Sequence, residues 1–178
     1  MRFVALDFET TGVVNGLPNE PWQLGLVEVV DGEPVAKSAW ETYFNVPVDR
    51  PFSVRAPGRW AQMRAELAAA PTFMEQWGAI LERVAGVPLV AHNAATERTL
   101  LVKRAPLTKF GPWIDTLKIA RSLYPSLKSH ALGDLVAAFG LQEKVDALCP
   151  GRTWHDALYD ACAGAVLAVF LLRKLGSE

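Results

Sequence analysis

Residues 5–12 read Ala5-Leu6-Asp7-Phe8-Glu9-Thr10-Thr11-Gly12, and the placement of this stretch decides how the remainder is read. An apolar strand running from Phe3 to Leu6 ends by carrying two carboxylates. Side chains on a strand alternate faces, so Asp7 and Glu9 point one way and Phe8 points into the opposite layer. Two like charges near the buried end of a strand are costly unless something positive lies between them. A hard divalent cation held by oxygen ligands is the usual solution. The competing reading is an exposed strand end with two solvated acids. The apolar residues before the pair and Thr10-Thr11-Gly12 after it weigh against that.

Moving outward, Gly12, Asn15, Gly16, Pro18 and Asn19 make residues 11–21 a turn-rich surface connection beside the acids. Trp22 to Val30 reads as a strand, Asp31-Gly32 is a strong hairpin signal, and Val35 to Val46 reads as its partner. Residues 47–57 form a loop. Trp60, Met63 and Leu67, then Phe73, Trp77, Ile80, Leu81 and Val84, recur at helical spacing on either side of Pro71, predicting two helices over the sheet. Val87 to Ala91 is a short apolar run, fitting a buried parallel strand that ends at His92-Asn93. Residues 94–104 have helical composition, Trp113-Ile114-Asp115 reads as another strand, and Asp115-Thr116 opens a helix reaching Leu123. Leu132, Leu135, Val136 and Phe139 give a helix ending at Gly140. The longest helix spans residues 153–175 and is entered by a capping-box-like Thr153-x-x-Asp156. Antiparallel strands followed by alternating strands and helices predict an α/β fold with a mixed five-stranded sheet, three strands antiparallel and two parallel, flanked by helices.

The 178 residues, 51% apolar, suit one globular domain spanning 1–178. Eighteen basic against nineteen acidic residues leave no broad positive field for holding long nucleic acid, so such a partner would be gripped locally. Cys149 and Cys162 form no zinc-type cluster and read as reduced core thiols. With no secretory signal at Met1 and no run of 18 apolar residues, the expectation is a soluble, cytoplasmic protein without membrane contact.

Three further stretches can supply ligands: His92-Asn93-Ala94-Ala95-Thr96-Glu97, Asp115, and His155-Asp156-Ala157-Leu158-Tyr159-Asp160. In this order the motifs resemble the DEDDh 3′–5′ exonucleases, the family of the proofreading epsilon subunit of DNA polymerase III and of ribonuclease T. D-x-E-T-T-G is matched by Asp7 to Gly12 and H-x-x-x-x-D by His155 to Asp160, while residues 92–97 stand in the place of H-N-x-x-F-D and keep its His-Asn. The resemblance covers nearly the whole chain. It implies a ribonuclease H-like fold and a metal-dependent exonuclease releasing nucleoside monophosphates from the 3′ end of single-stranded or frayed nucleic acid, DNA favoured, as in proofreading and DNA repair. By the same resemblance Asp7, Glu9 and Asp160 bind two Mg²⁺ ions, with Mn²⁺ able to substitute, and His155 is the general base. Thr10, Thr11 and Gly12 would lie beside the terminal nucleotide.

One departure stands out. The family's Phe-Asp is Thr96-Glu97 here, so the fourth acid is a methylene longer and the aromatic is gone. Glu97 still offers a carboxylate to a metal; otherwise it pairs with Arg98, Arg104 or solvent on a helix face. The same departure motivates an alternative in which the chain is a non-catalytic, nucleic-acid-binding, polymerase-associated subunit. An RNA-trimming enzyme is a further alternative, because nothing in the spacing separates ribose from deoxyribose. His92 and Asn93, ending a buried strand, read equally as substrate-facing or loop-bracing and as structural. Asp115 and Asp156 read as helix caps, and His130 as core support at a helix entry. Arg55, Arg59 and Arg64 form a modest basic cluster that either guides phosphate or is a solvated face. The partners implied are 3′ ends of single-stranded DNA or RNA, with either a homodimer or a polymerase partner.

Overall fold

The computed structural model describes residues 1–14 and 16–176; Asn15, one of the predicted turn residues, lies outside the described residues. β1 (Arg2–Thr10) lies at the centre of the sheet, antiparallel to β2 (Pro21–Val30) on one side and parallel to β5 (Leu89–Ala91) on the other. β5 in turn pairs in parallel with β6 (Trp113–Asp115). The free edge of β2 carries the two-residue β3 (Glu33–Pro34) and, further along, β4 (Trp40–Tyr43). Setting β3 aside as a stub, this is the predicted mixed sheet, three antiparallel strands and two parallel.

The alternation on β1 sorts the core into two layers. Val4, Leu6 and Phe8 pack with Ile80 and Val84 of α2 (Trp77–Val84) and with Leu100 and Leu101 of α3 (Ala95–Arg104). Phe3 and Ala5, on the other face, pack under α7 (Ala157–Leu175), with α4 (Thr116–Leu123), α5 (Leu132–Ala138) and α6 (Gln142–Leu148) completing that layer. Asp7 and Glu9 continue the Phe3–Ala5 face, so they project toward the start of α7. A third cluster, Trp22, Val46, Phe52 and Leu67, fixes α1 (Arg64–Ala69) and the loop after β4.

Two predicted elements differ in detail, and one helix is additional. The strand expected over 35–46 is interrupted by a 3₁₀ turn, Ala36–Ser38. Ser38 Oγ accepts the Glu28 N–H at 2.9 Å and donates to the Val35 carbonyl at 2.6 Å, so a side chain takes over the ladder and pairing resumes only at Trp40. The last helix begins at Ala157, not Thr153. His155 sits at φ 65°, outside the helical region, and Asp156 is the residue whose carboxylate accepts the Leu158 and Tyr159 N–H groups. Helix α6 was not anticipated, although Leu141, Val145 and Leu148 have the spacing of a short amphipathic turn. Asp115 caps α4 as expected, accepting from Leu117 and Lys118, and Gly140 takes the left-handed conformation after α5. Cys149 and Cys162 are both buried free thiols. No helix among the described residues is long and apolar enough to cross a membrane.

Candidate active site

The β1–β5 ladder pairs only Val4 and Ala5 with Leu89 and Val90, so β1 outruns its parallel neighbour and carries Asp7 and Glu9 past the carboxyl end of β5. The carboxyl ends of parallel strands, beside a change of strand direction, are where α/β sheets open a crevice for ligands. Into this place α7 brings its first turn. Gly25 stands opposite Asp7 in the ladder, and a Cβ there would lie 2.2 Å from the Leu158 nitrogen. Only a glycine lets the helix start come this close to the strand.

That approach assembles the acids. Glu9, His155 and Asp160 offer ligand atoms that all lie within 4.8 Å of one another. Asp7 is half-buried beside them. Burial raises its carboxyl well above the ordinary range, and Glu97, Asp160 and Glu9 add repulsion. The Glu9 carboxyl is pushed up to about 8 by burial and by Asp160 and Asp156. Burial takes Glu97 to about 7, partly offset by a backbone hydrogen bond and reinforced by Asp115. Asp160 also rises to about 7, chiefly through burial, against the stabilising His155 N–H that it accepts at 3.3 Å. The four acids named by the motifs therefore converge from β1, α3 and α7 and repel one another.

Glu97 Oε2 and Asp160 Oδ1 are buried and have no hydrogen-bond partner among the described residues. Buried acceptors ordinarily find a donor. A cluster of crowded carboxylates with orphaned oxygens and one imidazole is an oxygen-rich donor set suited to hard divalent cations. Glu97 is only 4% exposed, so a solvated helix-face ion pair with Arg98 or Arg104 does not describe it.

The other expected site residues lie on the turn leaving β1 and at the carboxyl end of β5. Thr10 ends β1 at an irregularity in the ladder. Thr11 is fully buried; its N–H donates to the Glu20 carbonyl at 2.8 Å and its hydroxyl accepts the Glu20 N–H at 3.1 Å. Gly12 has φ 69°, and a Cβ there would lie 2.7 Å from Ser53 Cβ, so the turn leaving β1 admits no side chain. His92 is braced at both ring nitrogens, Nδ1 with Thr116 Oγ1 at 3.0 Å and Nε2 with the His130 carbonyl at 2.9 Å; burial lowers its pKa. Asn93 is exposed at φ 68°, its N–H donating to Asp115 at 3.2 Å. Of the basic cluster, Arg64 is spent on the Val48 and Arg50 carbonyls, whereas Arg59 reaches Tyr43 and approaches Asp156.

Sequence reasoning missed the polar bracket around the α7 start. Arg152 binds Asp156 through Nη1 at 2.9 Å and forms a forked pair with Glu41, whose Oε2 it meets at 2.7 Å. Gln23, 1% exposed, donates to Glu41 at 2.9 Å and accepts the Ala157 N–H at 3.1 Å. The i, i+4 spacing of Arg152 and Asp156 was a visible signal; Gln23 and Glu41 carried none.

A model of the exonuclease family RNase_T matches residues 4–167. The chain is 32% identical over 179 residues to a PolC-type DNA polymerase III of Caldanaerobacter subterraneus, covering 98% of this chain and 12% of the polymerase. It is 28% identical over 172 residues to exodeoxyribonuclease 10 of Escherichia coli, covering 96% of this chain and 69% of that enzyme. The solved structure of exonuclease X in complex with 5′ overhanging duplex DNA superposes with a TM-score of 0.72 at 26% identity, covering 98% of this chain and 93% of that one. The chain thus spans only a small part of the PolC-type polymerases it matches, and most of an exodeoxyribonuclease. The three motifs, the ribonuclease H-like sheet and these likenesses agree: the chain belongs to the exonuclease family RNase_T, of the DEDDh type.

Proposed function

We propose that the protein is a divalent-metal-dependent 3′–5′ exonuclease that removes nucleoside monophosphates from the 3′ ends of single-stranded or frayed nucleic acid, DNA favoured. The observation that carries this reading is the convergence of Asp7, Glu9, Glu97 and Asp160 with two buried oxygens lacking partners, next to the His155 ring. Asp7, Glu9, Asp160 and Glu97 would hold the metals, two Mg²⁺ ions or Mn²⁺ in their place. When bound, such ions supply positive charge for the scissile phosphate and the leaving 3′ oxygen and acidify a water. His155, exposed at the mouth of the cage, would accept the proton of the attacking water through a ring nitrogen. The backbone of Thr10, Thr11 and Gly12 would border the terminal nucleotide. His92, engaged at both nitrogens, would brace the strand ends, leaving the exposed Asn93 to face substrate.

The preference for DNA rests on the likeness to an exodeoxyribonuclease and to an exonuclease solved with DNA. Matching within far longer PolC-type polymerases supports a proofreading role beside a polymerase, in cis or as a docked subunit. Parallel digestion of matched DNA and RNA strands, each 5′-labelled, tests the reading. Metal-dependent shortening from the 3′ end is expected, faster on DNA; equal or faster RNA trimming would transfer the assignment to an exoribonuclease.

A further inference from the structure

His155 occupies a left-handed backbone conformation, φ 65°, that a non-glycine residue holds only when its surroundings impose it. Two devices grip the loop that carries it. On one side Gly58, at φ 86°, comes so close that a Cβ would lie 2.9 Å from the His155 carbonyl oxygen and 2.9 Å from the ring of the fully buried Trp22. On the other, Arg152 ties together three elements: its guanidinium holds Asp156, the residue after the histidine, and Glu41 on β4, while Glu41 is held by Gln23 of β2 at 2.9 Å and Tyr43 at 3.2 Å. Gln23 closes the circuit on the Ala157 N–H. The Arg152 side chain is about three-quarters buried and both its carboxylate partners are also largely covered, so the fork sets direction as well as distance. The Arg152 bracket stabilises the charged form of Glu41: burial favours the neutral acid, yet hydrogen bonds from Arg152 and Gln23 bring it below its ordinary range.

We propose that Arg152, anchored by Glu41 and opposed by Gly58, is a positioning residue that presets the His155 ring and the first turn of α7 over the cage before substrate arrives. This rests on the reading of His155 as general base. Misplacing a reacting group by about an ångström can cost on the order of a hundredfold in rate, so the effect belongs in kcat.

The test compares Arg152→Gln, Arg152→Lys, Arg152→Gln with Glu41→Gln, Gly58→Ala and His155→Ala on a short 5′-labelled strand at saturating metal, with melting curves for each. Arg152→Gln is expected to lower kcat by about tenfold to a hundredfold with KM changed less than about twofold. Arg152→Lys, which keeps the charge and loses the fork, should recover only a small part, and adding Glu41→Gln to Arg152→Gln should cost little more, because the pair acts as one unit. Gly58→Ala, whose Cβ would crowd the His155 carbonyl on one side and the buried Trp22 ring on the other, should lower kcat in the same way. Wild-type kcat in a folded Arg152→Gln protein, or a loss carried by KM with kcat unchanged, overturns the proposal. Should Arg152→Gln fail to fold, Gly58→Ala decides: wild-type kcat overturns the proposal and a lowered kcat at unchanged KM supports it. An inactive His155→Ala beside a fully active Arg152→Gln removes the positioning role alone, whereas wild-type kcat in His155→Ala removes the general-base reading and this proposal with it.

Discussion

Two helices bring acids to the end of β1, and they are held in opposite ways. The start of α7 is capped by Asp156, tied by Arg152 and Gln23 to β2 and β4, and pressed against the strand at Gly25. The start of α3 has Ala94 at its cap with no side-chain hydrogen bond, and Glu97 enters the cage from its first turn. A short acid, Asp160, thus comes from the clamped helix and a long one, Glu97, from the uncapped helix. The contrast locates where the site tolerates change: a rigid support demands one side-chain length, and a looser support with a longer reach does not.

The largest effect is expected at the clamped end. Asp160→Asn should cut metal-dependent degradation on the order of a thousandfold, and Asp160→Glu, too long for its fixed helix, about a hundredfold, as measured in single-turnover rates. Next, Glu97→Ala should lose a large part of the activity while Glu97→Asp keeps it within several-fold. If Asp160→Glu proved as tolerable as Glu97→Asp, the contrast between the two helix starts would break. Smaller again, Asp156→Ala should lower stability by about 1–2 kcal/mol as a lost cap, read in denaturant melts. Unchanged stability would mean that the α7 start does not depend on its cap.

The pH response separates the cage from its bracket. Glu9, Glu97 and Asp160 have raised pKa values in the fold, about 8, 7 and 7. Such acids bind more protons folded than unfolded, so the stability of their protonated forms is present below about pH 4–4.5 and lost as pH rises through 7 to 8. Metal-free protein should therefore melt at a higher temperature at pH 5.5 than at pH 8.5. Saturating divalent metal should reverse the order, because binding requires the deprotonated cage and stabilises the folded state that holds it. A metal-free melting temperature that rises steadily toward pH 8.5 would argue that the acids are not crowded.

Much of this was legible in the sequence because it rests on local rules. Period-two alternation placed Asp7 and Glu9 on one face and Phe8 in the opposite layer, and the structure separates their cores accordingly. Short apolar runs gave β5 and β6, and Asp115 and Gly140 marked helix ends through cap chemistry. The convergence of Glu97 on Asp7 came from motif order, since no local rule brings α3 and β1 together. What escaped is nonlocal or conformational. The break at Ala36–Ser38 depends on a serine reaching back to Glu28, and the late start of α7 depends on the left-handed backbone at His155. The Gln23–Glu41–Arg152 circuit, closed on Ala157, bonds residues up to 134 positions apart, and no periodicity signals such a contact.

The most direct measurement is digestion of a 5′-labelled single-stranded DNA with and without Mg²⁺, beside the Asp7→Ala protein. The expected result is a ladder shortening from the 3′ end only when wild-type protein and metal are both present, abolished by EDTA and absent from Asp7→Ala. Intact substrate with wild-type protein in both Mg²⁺ and Mn²⁺, or equal shortening by Asp7→Ala, would contradict the assignment of the acid cage as an exonuclease centre.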